Sequence, residues 1–238
     1  MLVNELLTYL FDGQPHPLTA EMESWLKSSR RFTVFVTTFR DKIRKKLRVT
    51  QNQETLRDLR LELETAYLLL QERSLSVAYE PEHSKQGRSP DFAVSFTTSL
   101  TFMVEVTRLR EVSSSEQSSP LEGERLADTI CSKLGQLLPQ RCNVLIVGAD
   151  TLRLAQSDLD SIMLRIQQRA ERNDSALWER YGFRDRADFF RHYQRLSEVL
   201  VRRSHRRTDE PPLVWVNPQA KHPLPGKVRS ALYRSYEL

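Results

Sequence analysis

The sequence has little cysteine, little glycine and no long apolar run, and each shortage removes a class of function. Two cysteines, Cys131 and Cys142, are too few for a disulfide framework. No Cys-x-x-Cys pair or Cys/His spacing suggests zinc, so both read as ordinary buried or half-buried thiols. Seven glycines are scattered singly, which leaves no glycine-rich loop to cradle a nucleotide phosphate. There is no Gly-x-Ser-x-Gly elbow. The five histidines (His16, His83, His192, His205, His222) fall in loops or on polar helix faces, so Ser/His/Asp catalysis has no support. Mean hydropathy is -0.52. No apolar stretch approaches the ~20 residues of a membrane span. The opening MLVNELLTYLFDG lacks a basic lead and a small-residue cleavage site, and reads as helix rather than signal peptide. A soluble cytoplasmic protein with no membrane partner is the expectation.

Charge of neither sign dominates. There are 36 Lys+Arg against 31 Asp+Glu, a net charge of +5. That excess permits contact with nucleic acid without demanding it. Basic residues cluster at 40–48 (RDKIRKKLR) and 202–207 (RRSHRR). A solvated helix face and a surface loop are their plain readings, and phosphate contact is the functional one. The chain has 238 residues, 39% of them hydrophobic, enough for one sizeable core or for one domain with an extension.

The first region, to about residue 50, reads as a helical extension. Phe32, Phe35, Phe39, Ile43 and Leu47 recur at helical spacing, although FTVFVTT has strand-like composition. A stronger helix spans 53–72, where Leu56, Leu59, Leu63, Ala66, Tyr67 and Leu70 form one apolar stripe. Glu62 and Glu64 lie on its opposite flanks. Strands are predicted at 75–79, 92–96 and 100–107, the last two joined by TTS as a hairpin. Segment 80–90 is a polar loop, and serine-rich 113–120 reads as a flexible, lid-like break. A helix at 121–138 and a buried strand at 143–148 follow. Ser157 and Asp160 stand at N-cap and N3 spacing for a helix to about 170. A further helix is read at 185–201, with Phe189, Tyr193, Leu196 and Leu200 in register, and a last strand at 213–216. Trp178, Trp215, Phe189 and Phe190 read as core rather than as platforms for bases. The C-terminal segment carries Lys221, Lys227, Arg229 and Arg234, and either docks as an arm or touches phosphate. This order implies an α/β fold over 51–238, a mixed sheet with helices on both faces.

The chemistry concentrates between the second and third strands. Asp91 starts one strand of the hairpin, and Glu105 sits near the end of the other. Antiparallel pairing brings those ends side by side. Two carboxylates held close repel unless a cation sits between them. Oxygen donors of this kind suit Mg²⁺ or Mn²⁺, which can lower the pKa of a bound water and stabilise charge on a phosphoryl oxygen. Glu105 is also a carboxylate in an otherwise apolar strand. Taken alone, either residue reads as an ordinary edge or turn carboxylate.

The run ELETAYLLLQERSLSVAYEP, then SPDFAVSF, then FMVEVTRLR, resembles the PD-(D/E)XK, or restriction-endonuclease-like, superfamily. Its motif is a helical Glu, then Pro-Asp before a strand, then Glu-x-Lys ending the next strand. Pro90-Asp91 matches the second element. Glu105-Val106-Thr107 matches the third in its first residue and carries Thr in place of Lys. Glu62 best matches the helical Glu, with Glu64 the alternate. The resemblance covers about residues 53–148. It implies a restriction-endonuclease-like mixed sheet and a Mg²⁺-dependent (or Mn²⁺-dependent) nuclease acting on DNA, and less so on RNA. Asp91, Glu105 and the Val106 carbonyl would hold the metal, and Glu62 would support a ligand water or a second ion.

The family's lysine positions the attacking water and stabilises phosphorane charge. Thr107 cannot act as that cation. Lys133, on the helix after the sheet, and Gln136 beside it resemble a migrated lysine. Arg108 should point away from Thr107, since strand neighbours alternate, and neither it nor Arg110 can act as a base. Two readings therefore stand: a divergent nuclease, and a nuclease-fold module that binds nucleic acid or protein without hydrolysis. Oligomeric state, a homodimer included, is left open.

Overall fold

The computed structural model describes residues 2–50, 52–81, 89–97, 100–110, 122–149, 154–202 and 211–236. Four short helices come first: α1 (Val3–Phe11), α2 (Thr19–Ser28), α3 (Arg30–Thr38) and α4 (Arg40–Val49). Then follow α5 (Gln53–Leu69), β1 (Leu75–Tyr79), β2 (Phe92–Phe96), β3 (Leu100–Arg108), α6 (Glu122–Leu134) and β4 (Asn143–Gly148). The chain continues with α7 (Gln156–Glu171), α8 (Ser175–Tyr181), α9 (Arg186–Tyr193), β5 (Leu196–Arg202), β6 (Leu213–Val216) and α10 (Gly226–Arg234). One mixed sheet runs in the order β1-β2-β3-β4-β5-β6. The pairs β1/β2, β2/β3 and β5/β6 are antiparallel, and β3/β4 and β4/β5 are parallel.

Alternation along the strands sorts the core into two layers. Phe102, Val104, Val144 and Ile146 face one way and pack with α1–α5 and α10. Leu145, Val147, Val199 and Val201 face the other way and pack with α6, α7 and α9. The four N-terminal helices share the first layer: Phe35 meets the rings of Tyr79 and Phe92. Among the described residues, no helix is long and apolar enough to cross a membrane.

The stretch FTVFVTT is helical as read, despite its strand-like composition, and its threonines settle there by donating to carbonyls four residues back, as Thr37 does to Thr33 and Thr38 to Val34. Other expectations need correction. The helix breaks at Phe39, so α3 and α4 are separate. Residues 185–201 are not one helix. Asp185 caps α9, whose chain turns after Tyr193, and Leu196–Arg202 is a strand between β4 and β6. Leu196 and Leu200 fit a helical stripe by spacing. Yet all six residues from Leu196 to Val201 are buried, which only a central strand requires. Helix α7 opens two residues earlier than read: Asp158, not Asp160, accepts from the backbone N–H of Ala155 at 2.8 Å. Helix α8 was not anticipated, and α6 ends at Leu134 rather than near 138. The serine-rich 113–120 segment, most of the 202–207 cluster, His83 and His205 lie outside the described residues.

The C-terminal segment docks through α10, whose Val228, Ala231 and Leu232 are buried. Arg229 and Tyr233 both donate to Glu198, a fully buried carboxylate on β5. Removing one partner of such a pair strands the other charge. Arg229→Met should therefore lower unfolding free energy by about 3 kcal/mol in urea titration. The double variant Glu198→Met/Arg229→Met should recover part of that loss. A loss for the single variant within ~0.5 kcal/mol, the size of an ordinary surface change, would refute the pairing.

Candidate carboxylate site

Register places the two strand carboxylates together. Phe92 faces Val104 across β2 and β3, so Asp91 falls opposite Glu105. The Asp91 backbone carbonyl accepts from the N–H of Glu80 at 2.8 Å, which ties it to the end of β1. Its side-chain Oδ2 accepts from the N–H of Val106 at 2.7 Å. Asp91 is thus clamped to β1 and β3 at once.

Glu105 lies on the sheet face that α6 covers, and it is 8% exposed. Lys133, in the last turn of α6, donates from Nζ to Glu105 Oε1 at 2.9 Å and to Gln136 Oε1 at 3.2 Å. Gln136 stands in the turn that closes α6, its N–H bonded to the Lys133 carbonyl. Thr107 is half-buried and lines the same cleft as Lys133. A lysine from the helix therefore reaches the carboxylate that Thr107 cannot serve. Arg108 points to the opposite face as alternation requires, and pairs with Glu54 and Asp58 of α5.

Of the two helical glutamates, the structure brings Glu62 to the site. Glu62 is 9% exposed and interacts with Asp91. Glu64 turns away to Arg202, 2.9 Å from it. The residue missed in the sequence is Lys46 of α4. Its Nζ lies 2.6 Å from Glu62 and 2.7 Å from Glu80, and 4.8 Å from the centre of the Tyr79 ring. A position beside Leu47 in RDKIRKKLR was the only signal, and it could not name the partner. The same cluster is largely consumed internally, since Arg44 and Arg48 pair with Asp12 and Lys42 donates to the Glu80 carbonyl.

Carboxylates this close and this dry hold their protons. Burial, and then the charge of Glu105, push the Asp91 carboxyl up to about 7. Burial, and then Asp91, push Glu62 up to about 7 as well, with Lys46 pulling the other way. Burial works against the charge of Lys46, but Glu62 and Glu80 outweigh it and raise its pKa. Among the described residues, no group of three His, Cys, Asp or Glu side chains is arranged to hold a metal ion. The donor set nonetheless fits a hard cation that keeps several waters. Two neighbouring carboxylates repel, and Lys133 and Val106 each occupy one oxygen. Asp91 Oδ1 and Glu105 Oε2 remain, with the Val106 carbonyl between their strands.

The raised pKa values carry a stability signature in the metal-free protein. A group whose pKa is raised on folding stabilises the fold below its unfolded value and loses that contribution as pH rises through the folded value. For Asp91 and Glu62 the window runs from 3.8 and 4.5 to about 7. With chelator present, urea stability should fall between about pH 4 and about pH 7. In Asp91→Asn/Glu62→Gln the fall should be shallower. Equal slopes for the two proteins would show that the carboxylates are not crowded. In comparisons with models of protein families, with curated proteins and with solved structures, nothing matches this chain.

Proposed function

We propose that this site hydrolyses phosphodiester bonds in nucleic acid, DNA before RNA, with Mg²⁺ or Mn²⁺. The chain would then be a divergent PD-(D/E)XK nuclease, and its mixed sheet a restriction-endonuclease-like one. The observation that carries the reading is Lys133 Nζ at 2.9 Å from Glu105. It supplies from α6 the cation that the Glu-x-Thr strand lacks. Asp91, Glu105 and the Val106 carbonyl would hold the metal, which when bound would stabilise charge on a phosphoryl oxygen and acidify a water.

The chain's own residues divide the remaining work. The Lys133 ammonium offers a donor to negative charge developing on the phosphate. Gln136, bonded to the same ammonium, fixes where it points. Glu62, with a carboxyl near 7, can accept a proton from water at neutral pH. Lys46 holds that carboxylate in place from the other side.

One observation favours the non-hydrolytic reading. Lys46 and Lys133 already give Glu62 and Glu105 a cation each. Such a protein would bind nucleic acid or protein with the same fold and cleave nothing.

Activity on plasmid and single-stranded DNA decides between them. Asp91→Ala, Glu105→Ala and Lys133→Ala should each lower the cleavage rate by about 100-fold or more. Cleavage that survives Asp91→Ala would mean the site is elsewhere. Under the binding reading, gel shifts persist in all three variants and no protein cleaves. Calorimetry adds a direct check. Mn²⁺ should bind at about millimolar or better, weaken as pH falls below about 7 because protons compete for Asp91, and vanish in Asp91→Ala. No heat of binding in the wild-type protein would rule out the metal.

A further inference from the structure

The cleft beside the carboxylates contains a buried guanidinium nitrogen that has no partner among the described residues. Helix α5, the C-terminal end of β3 and α6 bound a cavity of about 520 Å³. Its acidic lining is largely paired. Asp58 accepts from Arg108 and Arg110, and Asp128 from Arg180 and Tyr181. Arg125, in the first turns of α6, differs. Its Nη2 is buried and has no hydrogen-bond partner among the described residues. A buried guanidinium nitrogen without an acceptor is unfavourable, so the arrangement favours an acceptor brought from outside. Arg125, Thr129 and Lys133 follow one another at four-residue steps, which puts them on one face of α6. All three line the cavity. Eight residues of helix separate Arg125 from Lys133 by about 12 Å.

We infer that Arg125 binds a backbone phosphate of a nucleic-acid strand, flanking the phosphodiester held at the carboxylates. The inference rests on reading that site as a phosphodiesterase. A guanidinium suits the task because its planar fork meets two phosphate oxygens at once and is weakly hydrated. Lys133 is held at the carboxylates by Glu105 and Gln136, and Arg125 stands two turns away along α6, so Arg125 serves a different phosphate. Phosphates recur about every 3.4 Å along the axis of one duplex strand. The ligand must therefore run several nucleotides beyond the reacting bond. The site selects chains over their short products, and Arg125 is the residue that measures the length.

Fluorescence anisotropy of the full-length protein with a labelled single-stranded DNA dodecamer tests this. Chelator prevents cleavage, and salt runs from about 50 to about 200 mM. Arg125→Ala should weaken binding several-fold and reduce the slope of log affinity against log salt by about 0.7, the share of one phosphate on a single strand. Arg125→Lys should restore the slope. A labelled dinucleotide should not distinguish wild type from Arg125→Ala. Identical slopes for wild type and Arg125→Ala with the dodecamer overturn the inference. Cleavage assays with Mg²⁺ on the same preparations separate the two claims. Cleavage by the wild type with an unchanged slope in Arg125→Ala removes only the phosphate contact. A reduced slope with no cleavage by the wild type removes only the phosphodiesterase reading. Failure of the wild type to bind the dodecamer overturns both.

Discussion

A carboxylate kept from water holds its charge only where cations or donors stand beside it. Three carboxylates converge at one end of this sheet, and the architecture around them follows from that constraint. Asp91 is held by a backbone N–H of β3. Glu105 is met by Lys133 from the helices of one face, and Glu62 by Lys46 from the helices of the other. Neither layer can shift without leaving an acid uncompensated. The sheet supplies the geometry, since register alone sets Asp91 across from Glu105.

The two lysines also define the functional tension. Each neutralises a carboxylate and would compete with a divalent ion for the same charge. Part of the site stays open all the same, because Val106 engages only Oδ2 of Asp91 and Lys133 only Oε1 of Glu105 among the described residues. A hard cation with its own waters needs only such a partial set. The pairing of Lys133 with Gln136 gives the ammonium one position, the kind of preorganisation that transition-state stabilisation requires.

Much of this was legible because the signals were local. Strands β1, β2, β4 and β6 fall where alternation and apolar runs placed them, and β3 is one residue longer. The pairing of Asp91 with Glu105 followed from a hairpin, whereas Lys133 was singled out by resemblance to a migrated lysine, because its place on a helix flank reads by itself as solvated. What failed was decided by tertiary context. Leu196 and Leu200 satisfy a helical period, and nothing nearby in sequence says that Glu198 between them will be buried against Arg229. Ala155 displaced Ser157 as the cap because the Gln156 side chain is drawn to the backbone of β6. Lys46 was indistinguishable from five other basic residues in nine until α4 was docked on α5 and β1. The choice of Glu62 over Glu64 needed only the direction in which Arg202 lies.

Glu198 also has a bearing on how the chain assembles. It is fully buried in β5, yet its guanidinium partner comes thirty-one residues later, in α10. During synthesis β5 emerges first. Until α10 follows, that carboxylate must stay hydrated or protonated, and the half of the sheet around β5 stays open to water. The early elements wait on the last helix as well, since α10 packs against the layer of α1–α5 and its Arg234 pairs with Glu72, just after α5. The last helix therefore completes both the β5 half of the sheet and the layer of α1–α5, with α10 acting as the latch.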